Sequence, residues 1–139
     1  MKITYKTNIL GSSFTAALLR RLRKYMSAPE EGGESQLEKG KEYVVYGIVF
    51  RDNSPWYYLC VDEDDEYPIP FAADFFDVSD DRLSSYWKLS AVTYDDGYVL
   101  TSLVFKEWAE DPTYYERLID DDSKAIKLFE SYRRLINQE

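Results

Sequence analysis

The sequence predicts an α+β domain with a small, strongly bent antiparallel sheet or barrel at about residues 39–105, flanked by an N-terminal helix and C-terminal helices. Three observations lead to this. Apolar segments in the middle of the chain have the two-residue period of strands and are separated by short turn sequences. Both ends carry apolar residues at helical spacing. An apolar fraction of 45% is typical of a globular protein, and we expect residues 1–139 to form one domain.

The N-terminal region, residues 1–26, is predicted to hold a strand and a helix. Ile3 and Tyr5 alternate with polar residues, which is a weak signal for an edge strand. Ser12 or Ser13 is the expected N-cap of the helix. Apolar residues at helical spacing form its expected buried stripe: Phe14, Leu18, Leu22 and Tyr25 or Met26.

The next two segments are predicted to be a loop and the start of the β core. Residues 27–40 have no periodic apolar pattern, which predicts a flexible loop. The core itself is expected to span residues 41–105. Its first run, "KEYVVYGIVF" (41–50), is largely apolar on both faces and therefore predicts a central strand. "DNSP" (52–55) predicts a turn and "WYYLCV" (56–61) a second strand.

The rest of the β core contains an edge signal and a hairpin signal. "YPIPF" (67–71) suits an edge strand or an extended connection, because its two prolines lack a ladder donor. Asp96-Gly97 lies between two apolar runs and predicts a β-hairpin. A short element between these two features is marked by three apolar residues: Phe75, Phe76 and Val78.

Two helices are predicted within residues 111–137. Asp111 is the expected cap of the first helix, with Pro112 as its first helical residue. The second is expected to begin at about Ser123, after the acids of "IDDDS" (119–123), because negative charge near a helix N-terminus is favourable.

Negative charge is concentrated in the middle of the chain. The net charge is −9, but residues 42–122 hold five Lys/Arg against twenty Asp/Glu and carry −15, whereas residues 1–41 carry +4 and residues 123–139 carry +2. A centre this acidic repels nucleic acid and anionic membranes and steers basic proteins or cations towards itself. We therefore expect no nucleic-acid or membrane partner, and a solubilising surface is the alternative explanation of the acidity.

Catalysis and cofactor binding receive little support from the residues. The chain has no histidine, which excludes Ser-His-Asp and Cys-His catalysis and most zinc sites. It also has no Gly-rich phosphate-binding motif, and its acidic runs lack the spacing of an EF-hand. We expect no enzymatic activity, cofactor or metal. The enzymatic alternative that stays open is a small hydrolase acting through two carboxylates.

The expected location is the cytoplasm. The N-terminal segment is too polar for a signal peptide, and no stretch approaches the ~18 apolar residues of a membrane span. Cys60 is the only cysteine, which excludes a disulfide framework, and its apolar surroundings in sequence predict a small buried hydrophobe.

Protein binding is the function that the residues favour. An interface needs aromatic anchors with complementary charge around them, and five consecutive acids, Asp62–Glu66, follow an aromatic strand. We expect Tyr58 and Trp87 to be buried and Trp56 or Tyr67 to be partly exposed. The predicted partner-binding residues are Trp56, Asp62, Glu63, Asp64, Asp65, Glu66, Tyr67, Asp95 and Asp96.

Residues 39–80 resemble SH3-like small barrels of bacteria. The matching features are "KGKEYVVYGI", the aromatic strand "WYYLCVD", the acidic loop and the run "YPIPFAADFFDVSD", whose end is similar to the Phe-x-Val/Ile-x-Asp strand of such barrels. The continuation "DRLSSYW" with its helical segment is similar to small bacterial proteins, some of which are immunity proteins of toxin–immunity pairs.

This resemblance implies inhibition by tight binding, in which the chain covers a basic toxin, for example a nuclease, encoded by a neighbouring gene. We expect a monomer or weak dimer. The alternative left open is a structural or adaptor module, such as a phage or scaffold subunit, whose acidic surface only keeps it in solution.

Overall fold

The computed structural model describes residues 1–6, 16–17, 20 and 37–139. Within these residues, eight strands form two antiparallel sheets, and three α-helices follow the last strand. The predicted α+β architecture is therefore confirmed. Of the predicted N-terminal helix, the structure describes only Ala16, Ala17 and Arg20, which are helical. The rest of that helix and most of the predicted flexible loop lie outside the described residues.

The elements follow one another in a simple order. The strands are β1 Lys2–Tyr5, β2 Glu42–Val44, β3 Gly47–Arg51, β4 Ser54–Leu59, β5 Ile69–Ala72, β6 Phe76–Asp80, β7 Trp87–Thr93 and β8 Val99–Phe105. A 3₁₀ turn, Ala73–Phe75, joins β5 to β6. The helices are α1 Lys106–Glu110, α2 Tyr114–Ile119 and α3 Ser123–Asn137. No helix among the described ranges is long and apolar enough to cross a lipid bilayer.

The smaller sheet has the strand order β2-β1-β6. β1 is therefore its middle strand, and the prediction of an edge strand is wrong. Ile3 and Tyr5 are buried, as their alternation predicts. Alternation reports which side chains are covered, but it carries no information on how many strands pair with the backbone. Here β1 pairs with β2 on one side and with β6 on the other.

One continuous segment connects the two sheets. The predicted central strand over residues 41–50 is interrupted at Val45 and Tyr46, which separate β2 in the small sheet from β3 in the large one. The N–H of Val45 donates to the carbonyl of Met1, and the N–H of Tyr46 donates to the carbonyl of Tyr58. Both side chains are buried, so the apolar character of both faces is correct although the single strand is not.

The larger sheet has the strand order β5-β4-β3-β8-β7. Asp52 and Asn53, with φ of 48° and 59°, form the two-residue turn between β3 and β4, as type I′ hairpins require. β5 is an edge strand, as the prolines predict. Each of the two sheets has two distinct edges among the described strands. The predicted barrel is therefore not observed, and the open, antiparallel alternative is.

The helices begin close to their predicted caps. The carboxylate of Asp122 accepts the N–H groups of Lys124 and Ala125 at 2.9 and 3.0 Å and so caps α3. The Asp111 carboxylate accepts the N–H of Thr113, but α2 begins at Tyr114, two residues after the predicted start. Asp111 therefore orders the turn before α2 and does not serve as its N-cap.

Aromatic contacts pack the helices against one end of the large sheet, the end at which β4 and β8 terminate. The Phe105 ring, at the end of β8, stacks on Tyr132 of α3 with centroids 4.1 Å apart. Trp108 of α1 stacks on Tyr115 of α2 at 5.4 Å, and Tyr115 also contacts Tyr58 of β4. This packing places α3 beside the segment that leaves β4, which is the acidic run.

Candidate protein-binding surfaces

The acidic loop, residues 62–66, presents its charges on a folded backbone. The carboxylate of Asp65 accepts the N–H of Val61 at 2.7 Å and that of Asp62 at 3.0 Å, which closes a tight turn. Asp65 is half-buried, whereas the other four acids are exposed. One of the five predicted acids thus folds the loop and four face solvent, namely Asp62, Glu63, Asp64 and Glu66.

Arg133 of α3 donates two hydrogen bonds to the backbone of the acidic loop. Its Nη1 lies 2.7 Å from the carbonyl oxygen of Asp65, and its Nη2 lies 3.1 Å from that of Asp62. The guanidinium also lies over the ring of Tyr46. Arg133 follows Phe129 by four positions, which places it at the border of the apolar stripe of α3, where a long side chain reaches from the core to the loop.

The acids of the loop have no ion-pair partner in the part of the chain that the structure describes. Over residues 1–6 and 37–139, no salt bridge joins an acid of this loop to a lysine or arginine. Acids elsewhere are paired, for example Asp80 with Arg82 at 2.6 Å and Asp111 with Arg117. The field of the loop is therefore directed towards solvent, where it acts on approaching cations.

The predicted aromatic anchors divide into buried and half-exposed side chains. Tyr58 and Trp87 are buried and Tyr67 is half-exposed, as predicted. Trp56 is completely buried, so its assignment to a partner-binding surface is wrong. The run that contains it is aromatic on both faces, and the Arg51 guanidinium lies over the Trp56 ring, which covers that face of β4.

Asp95 and Asp96 do not join the acidic loop. The loop follows the end of β4, which pairs with the start of β3, whereas the two aspartates lie at the turn before β8, beyond the pairing of Phe50 with Thr101. A seven-residue strand such as β8 spans about 20 Å. The predicted single surface is therefore two surfaces, at opposite ends of the large sheet.

The turn of the β7–β8 hairpin has exposed tyrosines beside its acids. Gly97 has φ of 82° and donates to the carbonyl of Tyr94, and the Asp96 carboxylate accepts the N–H of Tyr98 at 2.9 Å. Tyr94 and Tyr98 are 46% and 41% exposed, with ring centroids 6.3 Å apart. Sequence reasoning named only Asp95 and Asp96 here, although the tyrosines flanking "DDG" gave a signal for this aromatic, acidic tip.

A shallow cleft of about 200 Å³ contains two carboxylates, those of Asp80 and Glu139. The Arg82 guanidinium holds the pKa of Asp80 well below its usual range. Burial opposes ionisation of Glu139, yet hydrogen bonds from Ser84 and Ser85 lower its pKa. A catalytic acid of a glycosidase needs a raised pKa, so these two groups do not have the properties of that pair.

The residues that the structure describes bear on two further site types, a metal site and a reactive thiol. In the described part of the chain, no three residues of the types Cys, Asp and Glu are grouped so that they could hold a metal ion. Cys60 is buried, as predicted, and burial raises the pKa of its thiol to about 12. The thiol is therefore protonated at neutral pH.

Comparison of the chain with protein-family models, with curated proteins and with solved structures finds no match. The two surfaces described above are accordingly assigned from geometry and charge alone.

Proposed function

We propose that this chain is a non-catalytic, immunity-type protein of the cytoplasm that binds a basic protein toxin and neutralises it by occlusion. The observation that carries the proposal is the acidic loop, whose four exposed carboxylates lie on a backbone fixed by Asp65 and Arg133. Fixing the charges before binding reduces the ordering entropy that association costs.

A basic partner fits the charge of this surface. Complementary potentials raise association rates by about 10- to 1,000-fold at low salt. A nuclease is one such partner, because it holds phosphates with lysine and arginine side chains. Carboxylates that engage those cations cover the surface that the toxin needs for its substrate. The half-exposed ring of Tyr67, directly after the loop, supplies apolar contact beside the charges.

The test uses the product of the neighbouring gene as the candidate toxin. The four-acid variant D62N/E63Q/D64N/E66Q removes the exposed charges and retains Asp65, which folds the loop. The matched control, D81N/E116Q/D120N/D121N, removes the same charge from exposed acids elsewhere. We expect association with the four-acid variant to be slower by about tenfold or more at low salt, and association with the control to stay close to that of the unmodified protein.

Three outcomes contradict parts of the proposal. Absence of a complex, together with no rescue of cells that express the toxin, overturns it. Equal slowing by both variants assigns the effect to total charge and removes the loop from the proposal. Unchanged binding by the four-acid variant favours the structural or adaptor module, in which the acids only keep the protein in solution.

A further inference from the structure

β7 offers a row of backbone groups that no other strand of the described chain uses. The N–H of Tyr94 donates to the carbonyl of Tyr98 at the closed end of the hairpin. Hydrogen-bonded pairs alternate along an antiparallel ladder, so residues 88, 90 and 92 point their backbone groups towards β8. The N–H and C=O groups of Leu89, Ala91 and Thr93 therefore point away from the sheet.

The two edges of the large sheet are protected differently. At the other edge, Pro70 of β5 lies opposite Tyr58 and lacks an N–H, and Pro68 precedes the strand. Prolines are a common means of blocking pairing at an exposed edge. β7 has no proline, and its register with β8 is continuous from Trp87 to Thr93. Within the described part of the chain, the β7 edge of the large sheet is thus open to an additional strand.

The side chains along this edge are suited to burial. Leu89 is 70% exposed, and Ala91 and Thr93 are exposed on the same face. Phe50 and Val99, exposed at 38% and 49%, lie on the same face of β3 and β8 by the cross-strand register. This face has no charged residue on β7, β8 or the paired part of β3. An added strand therefore meets an apolar, uncharged neighbour.

We propose that β7 pairs antiparallel with β7 of a second copy of this chain, with Ala91 on the two-fold axis. In this register Ala91 faces its own equivalent, and Leu89 faces Thr93 of the second copy. The pairing satisfies the outward N–H and C=O groups of both strands and joins the two large sheets into one.

Charge complementarity selects a second copy as the occupant. Lys88 is the only cation from residue 83 to residue 105, and Asp95 and Asp96 are the only acids. With Ala91 on the axis, Lys88 lies opposite Tyr94 of the second copy, directly beside the hairpin turn that carries the Asp95 and Asp96 of that copy. The symmetry repeats this contact, and no like charges lie opposite each other. An arbitrary basic strand would instead place cations beside Lys88.

Pairing through β7 is independent of the proposed toxin binding. The acidic loop lies at the other end of the large sheet from the hairpin turn, so pairing through β7 leaves the loop of each copy accessible. Loss of self-association therefore leaves toxin binding intact, and the converse also holds.

Disulfide trapping tests the register. Hydrogen-bonded opposite residues have Cα atoms about 5.5 Å apart, which a disulfide spans. Ala91→Cys should therefore give a covalent dimer on mild oxidation, because the native Cys60 is buried. Thr93→Cys is the control, since two residues 93 would lie about 14 Å apart. Failure of the residue 91 variant to cross-link, or equal cross-linking at residue 93, overturns the proposal.

Sedimentation over a range of protein concentrations tests the pairing itself. Ala91→Pro removes an outward N–H and leaves the ladder to β8 unchanged, as Pro70 does on β5. We expect it to weaken dimerisation by about tenfold or more, the equivalent of about 1.4 kcal/mol. Leu89→Lys, which adds a charge to the same face, should act in the same direction. Leu83→Lys, at a leucine 58% exposed outside β7, should have no effect. A monomer at every concentration, or equal effects of the lysine at 83 and at 89, overturns the proposal.

Discussion

The Nη1 atom of Arg133 lies 2.7 Å from the carbonyl oxygen of Asp65, a contact between positions 68 residues apart in sequence. It links the last helix to the acidic loop through the backbone of the loop and leaves the exposed carboxylates unpaired with it. The Arg133 guanidinium thus orders the backbone of the loop, while the carboxylates of its four exposed acids remain in contact with solvent.

Arg133→Ala should loosen the acidic loop and lower the free energy of unfolding by about 1 kcal/mol, since two hydrogen bonds to loop carbonyls are lost. Hydrogen exchange of the amides of residues 61–66 should become faster. Arg134→Ala is the control, because it removes the same charge from an exposed side chain whose hydrogen bond among the described residues is to the Glu130 carbonyl of its own helix. Equal exchange in the two variants would show that the contacts of Arg133 do not order the loop.

Trp56→Ala should destabilise the whole domain by about 3–5 kcal/mol, because it removes a fully buried ring from the core. Urea unfolding measures the loss. Tyr67→Ala should change stability far less, since its side chain is half-exposed, and should weaken binding to the proposed toxin. Loss of binding by a fully folded Trp56→Ala protein would contradict the placement of Trp56 in the core.

Asp122 should contribute a pH-dependent part of the stability of α3. The N–H groups of Ala125 and Lys124 hold the pKa of its carboxyl below the usual value. Its stabilising effect is therefore complete above the ordinary carboxyl pKa of about 3.9 and is lost as the pH falls through the lower folded value. Asp122→Ala should lower Tm by a few degrees at neutral pH, because the N-cap is lost.

Asp122→Asn separates the cap from the charge. Asparagine caps helices about as well as aspartate, so this variant should keep most of the stability at neutral pH. It should also lose less stability than the unmodified protein on acidification to about pH 2, because position 122 no longer titrates. If the free energy of unfolding falls by the same amount in both proteins on acidification, the lowered pKa of Asp122 is contradicted.

Cys60 should be unreactive in the folded protein. Burial raises the pKa of its thiol to about 12, above the usual value of about 8.5. A thiol reagent at pH 8 should react with the native protein only as fast as the protein unfolds. The stability due to the protonated thiol is fully present below about pH 8.5 and is lost as the pH rises towards 12.

Cys60→Ala isolates the alkaline contribution of the thiol. Burial also raises the pKa of Tyr58 to about 12, so the free energy of unfolding of both the unmodified protein and the variant should fall at high pH. Above about pH 8.5, the free energy of unfolding should fall less steeply with pH in the variant than in the unmodified protein. Rapid modification of Cys60 in the native protein, or the same pH dependence of unfolding free energy in both proteins above about pH 8.5, would contradict a buried, protonated thiol.

Local signals explain what the sequence predicted correctly. The turn at Asp52-Asn53, the hairpin at Gly97 and the cap of α3 at Asp122 each depend on residues adjacent in the chain. The prolines of β5 identify an edge for a similarly local reason, since they lack an N–H whatever surrounds them. Such features follow from the chemistry of a few neighbouring residues.

Features that depend on strand order could not be read in the same way. The alternation around Trp56 predicts a strand with two apolar faces, but it does not state which neighbours cover each face. The separation of Asp95-Asp96 from the acidic loop follows from the pairing of β3 with β8, which joins residues about 50 positions apart. Charge density along the sequence therefore identified both acidic segments and placed them wrongly on one surface.

The interruption at Val45 and Tyr46 has a mechanical consequence. Residues 42–51 supply one strand to each sheet, β2 to the small sheet and β3 to the large one, with only these two residues between the strands. A one-residue shift in the register of β2 would also shift the register of β3 against β4, because a two-residue connector is too short to absorb the change. A displacement of β2 in the small sheet is therefore transmitted directly to β3 in the large sheet.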